Sequence, residues 1–411
     1  MAKSRQLHAN SPPQAVELVV TQPLVNILRS AVSILVAIVS HPYSRSSAPQ
    51  TSSSPASPQF GFRALKPAVA THPQFLQMLV SMLSSAEHLL CANALQLINS
   101  LVRDAVTHDQ DTEWPKFIKK LQDLGVIKAV YVLMQSSAVV DLAHPLLEFQ
   151  NLTKVMLRKW REVPVDLENS DHKRALRAIS AASYLDMDGS SASSSSGATP
   201  NGRTGHLGSK RNRDADRWKR VGFLGELPGP EFSETGFLGM MDLTDFVVKN
   251  EDQFRKLVLE QSSKPPEKRC PIARASLAVT AVLYEHFEID KGESESTERY
   301  AILESRANFE KAFKPLLLHY SRLHTAGLNA FLRLWKATGA EVEDFDRNAD
   351  LVRILIEQVV GQAPRTKDIS ETEVELAEFD YVRLRELQME LLELTYEDAW
   401  GHHLRFVSTV L

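Results

Sequence analysis

The sequence predicts an all-α protein. Apolar residues recur at steps of three and four along most of the chain, and runs of alternating β-branched residues are almost absent. The periodic segments between breaks are also about 10 to 17 residues long, which suits helices rather than strands. With 411 residues, 43% of them hydrophobic, the chain has material for two or three domains with real cores.

Residues 1–43 form an N-terminal helical segment whose apolar centre is SAVSILVAIVS, 30–40. That run is too short for a membrane span, which needs roughly 20 residues. It also starts too far along the chain for a secretory signal, and no small-residue cleavage site follows. It reads as a buried helix. SRSSAPQTSSSPASP, at 44–58, opens a Ser/Pro-rich linker, 44–71, with too little apolar surface to order itself.

From 72 to 185 helix follows helix. Phe75, Leu76, Leu79 and Leu83 share one face, as do Leu90, Ala94, Leu97, Ile98 and Leu101. Further helices run over 114–124, 126–134, 145–160 and 172–185, with Gly125 as a C-cap between two of them and Val163-Pro164-Val165 as a stop. Such a series suggests an armadillo- or HEAT-like helical repeat region, with a single irregular bundle as the alternative, since no repeated residue pattern is visible. A disordered, basic, Ser-rich linker occupies 186–215. Longer helices then resume over 251–261, 272–288, 298–338 (broken at Pro315), 345–361 and 371–399. In the last, Leu384, Leu387, Leu391 and Leu394 make a stripe, and it either packs back on the core or docks onto a partner. Residues 401–411 read as a truncated helical tail.

Composition and motifs exclude several functions. The net charge of −4 gives no general attraction to nucleic acid or to membrane surfaces. Cys91 and Cys270 stand in unrelated contexts, which suggests neither a disulfide framework nor a zinc site and fits a reducing, cytoplasmic setting. GHLGSK, at 205–210, has the wrong spacing to cradle phosphates, and no GxSxG or HExxH occurs. His402 and His403 would point about 100° apart on a helix, and Asp186 and Asp188 lack the closing Glu of a calcium loop. No cofactor, metal or catalytic residue is expected.

The most specific stretch is 216–283, where aromatic residues and glycines stand at irregular spacings. It begins with Trp218, Lys219, Arg220, Gly222 and Phe223, followed by Glu231-Phe232, Gly236, Leu238, Leu243 and Phe246. Leu257-Val258-Leu259-Glu260-Gln261-Ser262-Ser263 comes next, then Cys270, Pro271, Arg274, Ser276 and Thr280. Downstream lie Phe309, Glu310 and Phe313, then Leu332, Trp335 and Lys336, Asp344-Phe345, and Leu394-Thr395-Tyr396. From about 75 to 400 this pattern resembles the ELMO family of engulfment and cell-motility scaffolds, with 216–400 as the ELMO domain.

The resemblance implies a non-enzymatic partner of a DOCK-type exchange factor, which loads GTP onto a Rac-class GTPase in actin organisation, motility and phagocytosis. It also implies a cytoplasmic protein recruited to the plasma membrane through its partners. Family scaffolds continue into a pleckstrin-homology domain and a Pro-rich tail, and neither lies within these 411 residues. A related branch acts as GTPase-activating proteins for Arf-like GTPases, with an Arg directly after an Asp-Phe pair. Here that position is Ser233, flanked by Glu231-Phe232 and Glu234, which supplies no positive charge to a developing γ-phosphate.

Each motif also has a plainer role. Trp218, Phe223, Phe232 and Phe246 are expected in the core, and Gly222 and Gly236 at tight turns. Cys270 beside Pro271 reads as a buried apolar residue at a helix start, and Arg274 as a salt-bridge or partner contact. Residues 203–220 carry seven Lys/Arg against two Asp, either a solvated linker end or an anionic-surface patch.

Overall fold

The structure, a computed structural model, describes residues 12–40, 61–107, 114–183, 216–291 and 311–394. Among these residues every regular element is helical, so the class is all-α. The Ser-rich run 186–215, the tail 401–411 and residues 298–310 lie outside the described residues, and with them Phe309, Glu310, Thr395, Tyr396 and the His402-His403 pair.

The chain divides into two compact units, the first comprising 1–156 with 292–318 and the second 157–291 with 319–411. In the first, α1 (Pro12–Thr21) packs on α2 (Val25–Ser40), α3 (Gly61–Thr71) and α4 (Phe75–Ser81), and these three pack on α5 (His88–Thr107). Helix α5 is buried on nearly all sides through Leu90, Ala94, Leu95, Leu97, Ile98, Leu101 and Val102, as befits the central rod of a bundle. Helices α6 (Trp114–Asp123) and α7 (Val126–Gln135) follow, and α8 (Ala143–Glu162) crosses from the first unit into the second at Leu157. A fully buried Gln150 on α8 accepts from the Lys314 amide at 2.7 Å and donates to the Ala312 carbonyl at 3.1 Å, fixing the returning strand of chain.

Helix α3 departs from the linker expected over 44–71. Leu65, Ala68 and Val69 place one apolar stripe against α1 and α5, and Pro67 is accommodated within the helix. A single stripe on a short helix is enough when tertiary packing supplies the stability.

The second unit contains α9 (Ser170–Ala182), α10 (216–221), α11 (Gly236–Lys249), α12 (Glu251–Ser262), α13 (Ile272–His286), α14 (Tyr320–Thr338), α15 (Phe345–Ile356), α16 (Ile369–Glu378) and α17 (381–394). Helix α13 is its central rod, packed by α11, α14 and α15, while α11 also lies on α9 and α14 on α16. Asn169 caps α9 by accepting from the Asp171 and His172 amides. Helix α9 thus belongs with the α11–α13 core, although the sequence reading grouped it with the preceding helices.

The long helix expected over 371–399 is two helices. Phe379 turns extended (φ −53°, ψ 129°), and the Asp380 carboxylate then accepts from the Arg383 amide at 2.8 Å as the cap of α17. Leu384 of the expected stripe is fully buried, whereas Leu391 and Leu394 are exposed. The helix expected over 345–361 ends as a π turn at Glu357–Gly361.

Candidate functional site

The signature residues assemble into two neighbouring packing nodes of the second unit. At the first, α10 ends in Gly222, whose φ of +101° and position matter equally: a Cβ there would lie 2.5 Å from Pro271 C and Ile272 N. The backbone of α10 therefore rests directly on the start of α13, which brings Gly222 against Pro271, next to Cys270, in one packing contact. Phe223 follows, edge-on to Trp218 (5.7 Å, 83°) and tilted against Phe232 (5.7 Å). Phe223 and Phe232 are buried, and Trp218 is half-buried at the edge.

Between these aromatics the loop 224–231 is held by one carboxylate. Glu231 Oε1 accepts from the Leu224 amide at 2.6 Å and the Gly225 amide at 2.8 Å. Leu224 and Leu227 stay exposed, and Ser233 and Glu234 next to the loop are exposed too. Of the expected site residues, Ser233 is thus the one at the surface.

Gly236 starts α11 beneath the end of α8, at φ +56°, where a Cβ would stand 1.8 Å from the Arg161 carbonyl oxygen. The Phe237 amide donates to Val163 O at 2.8 Å, and Arg161 Nε donates to Glu234 O at 2.9 Å. The Arg161 guanidinium also lies 4.1 Å from the centroid of the Tyr284 ring and pairs with Asp290 at 3.1 Å. Tyr284 in turn donates to Asp290 Oδ1 at 2.5 Å; burial, with that acceptor, raises its hydroxyl to about 12.

The second node is aromatic. Phe331 stacks on Trp335 (6.2 Å, 17°), Phe345 packs against both, and the Arg274 guanidinium sits 4.4 Å over the Phe345 ring. Arg274 thus caps an aromatic cluster; neither a salt-bridge nor a partner role is needed to account for its place. Trp335 Nε1 donates to Lys268 O at 3.4 Å. Leu238, Leu243 and Phe246 are buried on α11, with Phe246 edge-on to Phe254 of α12. Cys270 is buried, its amide donates to Gln261 Oε1 at 2.9 Å, and burial pushes its thiol pKa up, which leaves an unreactive thiol.

Sequence reasoning missed the polar thread inside this core. Thr280 Oγ1 lies 2.8 Å from Asp242 Oδ2 and 3.2 Å from Ser276 O, and the Tyr320 hydroxyl donates to Thr280 O at 2.9 Å. Thr280 has one hydroxyl proton for two acceptors. A neutral Asp242 that donates to Thr280 frees that proton for Ser276 O and makes both contacts full hydrogen bonds. Burial favours the neutral acid, raising the Asp242 carboxyl to about 8, although a Thr280 hydroxyl turned toward the anion would lower it. His324 Nε2 lies 3.1 Å from Ser276 Oγ and O, and burial lowers its pKa to about 4. The available signal was register: Asp242 stands four residues after Leu238 and four before Phe246, on the apolar face of α11.

Among the described residues, no group of three His, Cys, Asp or Glu is placed to hold a metal ion, and no helix is long and apolar enough to cross a membrane. Taken together, this is an all-α domain on one buried central helix, whose signature positions are packing nodes. Residues 155–349 match the ELMO/CED-12 family, so the chain carries an ELMO-family domain over that block. The match begins within two residues of the start of the second compact unit, so the 184–215 segment lies inside the matched block. Engulfment and cell motility protein 3 of Mus musculus is 22% identical over 325 residues, covering 76% of this chain and 41% of the relative. Engulfment and cell motility protein 1 of Homo sapiens is 22% identical over 172 residues, or 41% of this chain and 22% of that protein. Engulfment and cell motility protein 2 of Homo sapiens is 24% identical over 173 residues. The chain spans about two fifths of the length of the first of these.

Proposed function

We propose that this chain is a non-enzymatic regulatory subunit of a DOCK-type exchange factor acting on a Rac-class GTPase, in actin organisation, motility and engulfment. The observation that carries this reading is the ELMO/CED-12 block over 155–349, together with relatives named for engulfment and cell motility. The burial of the signature residues supports it, because they build a rigid frame rather than a reaction centre. The GTPase-activating alternative gains nothing from the site. Ser233 is exposed without a cation of its own, and Arg161 nearby is occupied by Tyr284, Asp290 and the Glu234 carbonyl. In this reading the protein works in the cytoplasm and reaches the plasma membrane through its partner.

The test is reconstitution. A purified DOCK-type exchange factor is mixed with the full chain, and complex formation is followed by size-exclusion chromatography alongside nucleotide exchange on Rac. The reading expects a stable complex and an altered exchange rate. Absence of a complex at micromolar concentrations of both proteins would sink it.

A further inference from the structure

Where α14, α15 and α17 meet, the second unit holds a cavity of about 150 Å³ lined by Thr338, Asp344, Arg347, Asn348, Tyr381 and Arg385. Its floor has an unmet need. Asn348 is only 2% exposed, and its Nδ2 donates to Phe331 O at 3.1 Å. That bond fixes which way the amide faces, since a flip would set oxygen against oxygen. Asn348 Oδ1 is then a buried acceptor with no hydrogen-bond partner among the described residues. Leaving it unpaired is costly, and it lies beneath the floor rather than open to the cavity, so the ligand-facing chemistry is that of the rim.

The rim supplies the opposite chemistry. Arg347 reaches its nearest carboxylate, Asp344, only at 3.7 Å, and the other Asp344 oxygen is engaged by the Glu341 amide at 3.1 Å. Arg385 donates to the neutral amide oxygen of Gln388. Arg347 thus has only a distant carboxylate and Arg385 only a neutral amide oxygen, and an oxyanion between them would complete both with charge-assisted bonds. On either side of Arg385, at the neighbouring positions of the same helix face, Val382 and Met389 are 63% and 50% exposed.

We propose that this cavity is a recognition site for an oxyanion carried on a peptide, an acidic or phosphorylated side chain with apolar neighbours. The oxyanion bridges Arg347 and Arg385, and the flanking apolar residues cover Val382 and Met389. A free inorganic anion meets the arginines but offers nothing to the apolar flank. The site is separate from the exchange-factor reading and stands or falls without it.

The experiment uses the full chain labelled with ¹⁵N-arginine, with the Arg347 and Arg385 Nε–Hε signals assigned through R347K and R385K. It is titrated with four probes: acetyl-Leu-Glu-Leu-amide, its phosphoserine counterpart, its Gln counterpart and inorganic phosphate. The expected result is a saturable shift of both signals with the Glu peptide, the phosphoserine peptide or both, which also tells carboxylate from phosphate. The Gln peptide should give none. Arg385→Gln should weaken that binding by about tenfold, the loss of one charge-assisted contact. Val382→Ser, at a position too exposed to disturb the fold, should weaken peptide binding and leave any phosphate response unchanged. Equal affinity for inorganic phosphate and peptide would overturn the proposal, as would the lack of any saturable shift at these two arginines.

Discussion

Gly236→Ala is the substitution that most directly tests how α11 is seated on the end of α8 within the second unit. Two costs add. The residue sits at φ +56°, where an alanine pays roughly 1 kcal/mol or slightly more for the left-handed region. The new Cβ would also fall 1.8 Å from Arg161 O and 2.6 Å from Arg161 C, backbone atoms that cannot rotate away. Relief needs a shift of an ångström or more between α11 and the 161–163 turn. Such a shift strains the Phe237–Val163 bond of 2.8 Å and the Arg161–Glu234 bond of 2.9 Å, each worth about 1 kcal/mol. The expected loss is therefore about 3 kcal/mol or more. Gly339→Ala is the matched control, because its φ is +64° but nothing stands within 4 Å of the added carbon. It should lose only about 1 kcal/mol. Urea unfolding followed by far-UV circular dichroism measures both. If the two variants shift the midpoint equally, the close approach at Gly236 is not what restricts that position.

The buried acid predicts a pH dependence with a definite sign. Asp242 has a folded pKa near 8 against 3.8 for the free group, so the native state holds a proton that the unfolded chain releases, and stability falls as pH rises between those values. His324, lowered to about 4, acts oppositely between pH 4 and 6.5, so the Asp242 slope should stand alone from about pH 6.5 to 8. Asp242→Asn should flatten that slope, and a wild-type midpoint that is level from pH 6.5 to 8 would refute the neutral acid. Glu231→Ala removes the acceptor shared by the Leu224 and Gly225 amides, so both should exchange hydrogen at least about tenfold faster, with loss of about 1–2 kcal/mol locally. Cys91 and Cys270 should resist a thiol reagent such as 5,5′-dithiobis(2-nitrobenzoate) until denaturant is added, because burial raises both, Cys91 to about 11. Rapid labelling of the native protein would contradict their burial.

The helices were legible because each carries its own period: α2, α5, α12 and α13 fall where apolar steps of three and four place them. Partnership was less legible. The compositional break at 186–215 suggested a boundary, yet α9 before it packs on α11 after it. Composition reports where a segment lacks apolar surface of its own; it does not say which core the preceding helix faces. The turn at Phe379 was invisible for a related reason. No Gly or Pro marks it, and the apolar period runs through it, so only the Asp380 cap, a polar residue three before Arg383, distinguished two helices from one. Glycine roles were legible in kind, since Gly222 and Gly236 are indeed at positive φ, but what each meets, Pro271 in one case and Arg161 in the other, comes from tertiary structure. Asp242 was passed over because it lay within an apolar face where a charge is not expected, and that mismatch was itself the clue.

The residues on which the sequence resemblance was read are largely ones a partner cannot touch. Phe223, Phe232, Phe246, Cys270 and Trp335 are all buried, and Gly222 and Gly236 are pinned beneath other backbone. The exposed positions lie elsewhere: Leu224 and Leu227 on the loop held by Glu231, Ser233 beside them, and the exposed turns of α17. Loss of binding in a variant such as Phe232→Ala would thus report on folding first. Changes at the exposed loop and at α17 separate the two effects, because they leave the nodes around α13 intact.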